Sequence, residues 1–380
     1  MNFEFATASR IIFGAGKSSQ IPALWRSLGE KPYFLLGGSA AANPALKEIL
    51  KDHESSIISS EPTINRIGEV VQRIKSVGSN VIVSIGGGSV IDTGKAAAAL
   101  APNPGSVLDY LEVIGSGRRL DQDPLPLIAV PTTAGTGSEV TKNAVIASPE
   151  HRVKVSLRDP RMFPAAAVVD PALTYSLPPA VTACSGLDAL TQCLEPYVSR
   201  LSTPLTDPLC LEGIRLISRS LPRVYREGGE PRAREEMALA SLFGGLALAN
   251  AKLGAVHGFA GPLGGMYAAP HGAVCAALLA PVVEINLRAL SQREPGNPAL
   301  ARYRRVGRLV LGKEAADERD LVRWAAELVR DLGIPRLAEF GLRRSDFPEL
   351  IEKGKASSSM KGNPIQLTGP ELEEILERAL

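Results

Sequence analysis

Several absences narrow what this chain can do. Lys and Arg number 42 against 40 Asp and Glu, for a net charge of +2, and the basic pairs Arg118-Arg119, Arg304-Arg305 and Arg343-Arg344 stand apart. There is no basic stripe of the kind that marks a nucleic-acid surface. No stretch reaches about 18 apolar residues without a break, which argues against a membrane span. The start Met1-Asn-Phe-Glu-Phe-Ala has no basic segment leading into an apolar run, so it does not read as a secretory signal. Cys184, Cys193, Cys210 and Cys275 lie in apolar, helical surroundings with no C-x-x-C pair, and they read as reduced core thiols of a cytoplasmic protein. Histidine is as scarce as cysteine, four in 380 residues.

Two of those histidines, His257 and His271, fall in one segment, Gly254-Ala-Val-His-Gly-Phe-Ala-Gly-Pro-Leu-Gly-Gly-Met-Tyr-Ala-Ala-Pro-His-Gly272. Its flanks look helical, and Gly264-Gly265 and Ala269-Pro270 predict a break that puts His257 near one helix end and His271 at the start of the next. Upstream, Asp188 and Gln192 are four residues apart and share a helix face. Asp188, Gln192, His257 and His271 therefore offer a mixed oxygen and nitrogen set for a divalent ion. By spacing alone, the same residues also read as a cap, a backbone partner and two half-buried imidazoles.

The length predicts roughly two domains, and 45% hydrophobic with 22% charged residues fits a globular chain. Residues Phe3–Thr7 and Arg10–Gly14 read as short strands. Helical stretches near Ser19 to Leu28 and Pro44 to Lys51 flank a strand at Tyr33–Gly37. Ile64, Ile67, Val70, Val71 and Ile74 form a helical stripe ahead of Val81-Ile-Val-Ser-Ile85, a run apolar enough for a parallel sheet covered on both faces. Alternation continues through Leu127–Val130 and Ala166–Asp170, which predicts an α/β domain over residues 1–178. From 179 to 380 the apolar spacing is helical, with no further strand, and Thr368-Gly-Pro-Glu371 reads as a capping box.

Two turns follow strands. Gly86-Gly-Gly-Ser-Val-Ile-Asp-Thr-Gly-Lys95 runs into an Ala-rich helix over 96–100, so its glycines let backbone approach a phosphate at a helix amino terminus. Pro131-Thr-Thr-Ala-Gly-Thr-Gly-Ser-Glu-Val-Thr141 adds hydroxyls and flexible backbone. Either alone can be a tight turn, and together they favour a cofactor cleft.

With Asp170-Pro-Ala-Leu173, Asp188-Ala-Leu-Thr and Pro270-His-Gly272, these stretches resemble the iron-containing (group III) alcohol dehydrogenase family, related to the maleylacetate reductases, over nearly the whole chain. The resemblance implies a dehydroquinate synthase-like architecture, an α/β dinucleotide-binding domain and an all-α domain, with NAD or NADP and a divalent metal, iron or zinc, meeting in the cleft between. It implies that Gly87, Gly88 and Ser89 hold the pyrophosphate with Asp92 supporting that loop. Thr132, Thr133, Thr136 and Ser138 would line the cofactor, and Lys154, otherwise a solvated lysine, would lie near its ribose or nicotinamide. Asp188, His257 and His271 would be metal ligands, the two histidines also catalytic. A third metal histidine of the family falls on Gln192, and a further one near the proton relay falls on Gly261. A weakly held ion is the expectation. Gly38 stands where many relatives place an aspartate against the adenosine ribose, and its lack of charge permits NADP.

The activity expected is interconversion of a small alcohol and its aldehyde or ketone, with the ion acting as Lewis acid and the loops aiming the nicotinamide. A maleylacetate or other keto-acid reductase is the nearest alternative. Further off stand a dehydroquinate synthase-like lyase and a nucleotide-binding protein with a decayed metal site. A homo-oligomer is expected, its amino-terminal strands suited to pairing between subunits.

Overall fold

The computed structural model describes residues 2–380, which divide into a unit of Ala6–Ser176 and a unit of Leu177–Leu380 with residues 2–5. The first is built from β1 (Ile11–Phe13), α1 (Ile21–Leu28), β2 (Pro32–Leu36), α2 (Gly38–Ala42), α3 (Pro44–Leu50), β3 (Glu54–Ile57), α4 (Ile64–Val77), β4 (Val81–Gly86), α5 (Gly88–Leu100), α6 (Val107–Tyr110), β5 (Leu127–Pro131), β6 (Asn143–Ser148), β7 (Val153–Arg158) and β8 (Ala166–Val169). Six strands form one parallel sheet in the order β1-β8-β5-β4-β2-β3. Strand residues alternate between its faces. Tyr33, Leu35 and Ile82 join a core with Ile67, Val70, Val71 and Ile74 of α4 and the alanines of α5, whereas Phe34, Leu36, Val83 and Ile85 face Ile21, Leu24 and Trp25 of α1. Burying each large side chain contributes about 1.5–3 kcal/mol, so the double-sided cover explains why β4 carries almost no polar residue.

The sequence reading needs correction at several elements. Residues 3–7 are not a strand: the sheet ends at β1, whose one partner is β8, and Phe3 is exposed. Edge strand β3, Glu54-Ser-Ser-Ile57, escaped notice because it pairs only with β2 and carries few apolar residues. The antiparallel hairpin β6–β7 lies outside the main sheet and was also missed. Helix α5 begins at Gly88 rather than 96, so Ser89 and Asp92 belong to its first turns.

The second unit contains only helices among its described residues: α7 (Pro179–Val198), α8 (Thr206–Arg226), α9 (Pro231–Ala251), α10 (Ala255–Met266), α11 (His271–Arg293), α12 (Pro298–Leu311), α13 (Glu318–Asp331), α14 (Phe347–Ala356) and α15 (Gly369–Ala379). Thr368 and Glu371 form the capping box of α15. Helix α10 runs through Gly264-Gly265, where a break was expected, and ends at Met266. Its flank packs on α14, and tertiary contact overrides the weak helix propensity of glycine. Helix α11 is long and apolar enough to cross a membrane by length and composition, contrary to the reading of the sequence. Its apolar window is 78% buried within the protein, which makes it a core helix.

Helix α7 is buried on nearly all sides from Gly186 to Val198, the mark of a central helix. Polar side chains on such a helix must find partners inside the protein. Asp188, Thr191, Gln192 and Glu195 are the ones to account for.

Candidate dinucleotide and metal sites

In the α/β unit, the carboxyl ends of β2, β4 and β5 lie side by side. Leu36 pairs with Ile85 and Gly86 with Pro131, the Gly37 N–H donates to the Ile85 carbonyl at 2.9 Å, and the Thr132 N–H donates to the Gly86 carbonyl at 2.9 Å. The register thus brings Gly38, Gly87, Gly88, Ser89, Thr132 and Thr133 to one edge. This is where parallel α/β sheets bind ligands. No side chain caps the amino terminus of α5, so its first N–H groups and dipole end offer an anion site. A Cβ built on Gly88 would come within 2.7 Å of the Thr136 side chain, so only glycine permits this approach of the two turns. Gly38 is exposed, and a Cβ there would meet nothing within 4 Å.

Asp92 holds the second turn in place, by a route the sequence did not disclose. From α5 it accepts hydrogen bonds from the Ser138 hydroxyl and the Val145 N–H, and it pairs with Lys95 at 2.9 Å. It therefore supports the second turn and the hairpin rather than the loop that precedes it. Lys95 is fully buried and donates to the carbonyls of Ser138 and Asn143 and the hydroxyl of Thr141. Beside them, burial pushes the Glu139 carboxyl up to about 7. Lys154, on β7, pairs with Glu61 at 2.6 Å. Asp170, at the end of β8, accepts the N–H groups of Gly16 and Ser18 and so fixes the turn after β1.

In the helical unit, α7, α10 and α11 converge on Asp188. The Asp188 carboxylate is buried, and its Oδ1 makes no hydrogen bond. His257 Nε2 lies 3.4 Å from that oxygen and His271 Nε2 3.8 Å from it. His257 is turned this way by Glu195, whose carboxylate accepts Nδ1–H at 2.6 Å and also the Val256 N–H at 2.7 Å. That fixes the tautomer with Nε2 toward Asp188. His271 opens α11, and a Cβ on the next residue, Gly272, would fall 2.4 Å from the Cys184 carbonyl of α7. Glycine in Pro-His-Gly is what lets the two helices close.

Burial opposes the charge on Asp188, but His271 and His257 outweigh it and hold the carboxyl below its ordinary range. Burial likewise disfavours charge on both imidazoles. Cys275 and Asp188 reverse the balance and raise His271, and with Glu195 they raise His257 well above its usual value. Gln192 is buried one turn from Asp188, and its amide helps hold the Asp188 carboxyl low. Cys275, which reads in the sequence as a core thiol, joins this group in the fold. Its Sγ lies 3.8 Å from His257 Nε2 and 3.6 Å from His271 Nε2, and with Asp188 the four donor atoms all lie within 4.8 Å of one another. The signal was available, because His271 and Cys275 are four residues apart, as Asp188 and Gln192 are. Glu195 lies seven residues after Asp188 and three after Gln192, so its spacing also puts it on that face of α7. The other two histidines are occupied elsewhere: His53 packs on Trp25 and Phe34, and His151 bonds Ser148.

A parallel α/β unit with glycine turns at its carboxyl edge, and a helical unit that gathers carboxylate and imidazole at a buried point, fit an oxidoreductase of the dinucleotide- and metal-dependent class. The chain belongs to the iron-containing alcohol dehydrogenase family: residues 8–171 match the iron-containing alcohol dehydrogenase domain and residues 182–380 the family's C-terminal domain. It is 39% identical over 321 residues to alcohol dehydrogenase 4 of Saccharomyces cerevisiae, covering 84% of this chain and 80% of the relative. Among solved structures, a 1,3-propanediol oxidoreductase matches with a TM-score of 0.90 at 30% identity, both chains covered in full. A sulfoacetaldehyde reductase of Bifidobacterium kashiwanohense in complex with NAD+ matches with a TM-score of 0.87 at 27% identity, over 100% of this chain and 99% of that one. The chain is thus an oxidoreductase interconverting an alcohol and its carbonyl compound, and the lyase, keto-acid and nucleotide-binding alternatives are not favoured.

Proposed function

We propose that the substrates are short primary alcohols or diols and their aldehydes, with NAD as the preferred hydride carrier, NADP tolerated, and a divalent metal bound in the helical unit. The observation that carries the metal assignment is the buried Asp188 Oδ1, which makes no hydrogen bond and faces two imidazole nitrogens. A carboxylate oxygen so placed fits a cation. The ion would supply Lewis-acid stabilisation of alkoxide character at the substrate oxygen. Asp188, His257 and His271 hold it, Glu195 keeps His257 in the ligating tautomer, and Gln192 steadies the Asp188 carboxylate.

Gly87, Gly88 and Ser89 bind the pyrophosphate at the start of α5, and Thr132, Thr133, Thr136 and Ser138 line the cofactor. Lys154, neutralised by Glu61, shapes that surface rather than offering it a free charge. Gly261 has open space where a side chain would project and no group to carry a proton, so this position takes no part in moving the substrate proton. The names of the relatives support short alcohols and NAD. The four free thiols support a reducing, cytoplasmic setting, and the open edge of β1 supports a homo-oligomer.

The test is NADH formation from a panel of short alcohols and diols with metal-replete protein. Turnover with C2 to C4 substrates is expected. Binding of NAD(P) with no turnover of any alcohol or aldehyde overturns the assignment.

A further inference from the structure

We infer that Cys275 is a metal ligand in this chain: with Asp188, His257 and His271 it forms an oxygen, two-nitrogen and sulfur donor set that takes zinc in preference to ferrous iron. The inference rests on the metal-binding part of the function proposed above and is independent of the substrate.

Three observations carry it. First, Sγ of Cys275 is not simply near the cluster but nearly equidistant from the two imidazole nitrogens, 3.8 Å from His257 Nε2 and 3.6 Å from His271 Nε2. Bond lengths of about 2.0–2.2 Å to nitrogen and oxygen and about 2.3 Å to sulfur, at tetrahedral angles, require N···O separations of ~3.4 Å and N···S separations of ~3.6 Å. The N···O separations here are 3.4 and 3.8 Å. These four of the six edges thus lie within a few tenths of an ångström of a zinc tetrahedron.

Second, the position that would complete a nitrogen-rich set, one turn from Asp188 on α7, is Gln192, a neutral amide. An amide oxygen is also a poor donor to a borderline-soft ion, whereas a thiolate is a strong one. Third, the other thiols are placed differently. Cys193 donates to the Ala240 carbonyl, and neither it nor Cys184 or Cys210 belongs to the donor group. Cys184 is nonetheless on α7, one turn before Asp188, and so serves as a control.

A soft sulfur donor shifts selectivity toward zinc. It also replaces the expectation of a weakly held ion by that of a firmly held one. Four protein donors leave the alcohol oxygen to enter as a fifth, an expansion zinc permits.

The experiment uses the full chain, stripped by chelation and reloaded with one equivalent of cobalt(II). A sulfur-to-cobalt charge-transfer band in the near ultraviolet is expected beside the visible bands. In Cys275→Ser the near-ultraviolet band should vanish while the visible bands persist, and in Cys184→Ser both should remain. Zinc affinity by chelator competition should fall at least about 10 to 100-fold in Cys275→Ser, and the zinc-over-iron preference should narrow. X-ray absorption of the zinc-loaded wild-type chain, which needs no variant to fold, should show one sulfur neighbour at about 2.3 Å. A cobalt-loaded chain without the near-ultraviolet band, or zinc spectra with only nitrogen and oxygen neighbours, overturns the inference. Failure to bind either ion overturns it together with the metal-binding proposal. Intact sulfur signatures without turnover leave it standing and remove only the proposed substrate reading.

Discussion

The turns at the edge of the sheet and the cluster on α7 differ in what they are made of. Gly86–Ser89 and Pro131–Ser138 offer mainly main-chain groups and hydroxyls in two contiguous stretches, the second pinned by Asp92 and Lys95. The cluster takes one side chain from α7, one from α10 and two from α11, and its second layer, Glu195, comes from α7 again. A backbone-built site is written in consecutive residues, because the turn geometry demands glycine at fixed offsets. A side-chain site requires only that helices meet, and the chain between its members carries no trace of it. Substitutions that separate the two constructions test this contrast.

The largest effect is expected at Lys95. Replacing it leaves the half-buried Asp92 without its cation, and breaking a buried pair typically costs up to about 3–5 kcal/mol. Lys95→Met should destabilise the α/β unit by that order and abolish NAD(P) binding, with metal stoichiometry unchanged. Urea unfolding followed together with metal analysis checks both halves, and equal damage to both sites would erase the distinction.

Glu139 gives a pH signature in the same turn. Its carboxyl, ordinarily at 4.5, sits at about 7 in the folded chain. The folded state therefore binds the proton more tightly than the unfolded one. Stability is fully present below the unfolded value and is lost as pH rises through the window from 4.5 to about 7. A shift of this size corresponds to at most about 3 kcal/mol. Glu139→Gln should flatten the decline, read from urea midpoints between pH 5 and 8. An unaltered pH slope would mean that the carboxyl reaches solvent.

On the other side of the comparison, Glu195→Gln keeps the packing but weakens the hold on His257 Nδ1–H. Loss of such an outer partner costs about 10 to 100-fold in metal affinity, and chelator competition should find that loss with NAD(P) affinity unchanged. The smallest effect is expected at Gly38, where an added side chain meets open space. Gly38→Asp should lower NADP affinity relative to NAD by about tenfold, ~1.4 kcal/mol, without loss of stability. A constant ratio in titrations of both dinucleotides would detach Gly38 from the adenosine ribose.

The sequence by itself determined the parallel sheet and most of the helices of the second unit, since apolar period reports which faces are buried. It also determined the turns after β4 and β5, since their glycines are required by local backbone geometry. The glycine of Pro-His-Gly was legible as a motif, but its reason, the approach of α11 to the Cys184 carbonyl, lay in packing. Edge strand β3 and the hairpin β6–β7 stayed hidden, because half-exposed strands need no continuous apolar run. Only the tertiary structure decided that Asp92 holds the second turn, that Glu195 orients His257, and that Cys275 stands beside the imidazoles. Each of those contacts joins residues whose partners are chosen by how helices and strands pack. Spacing along a chain records the face a residue lies on, not what the fold brings against that face.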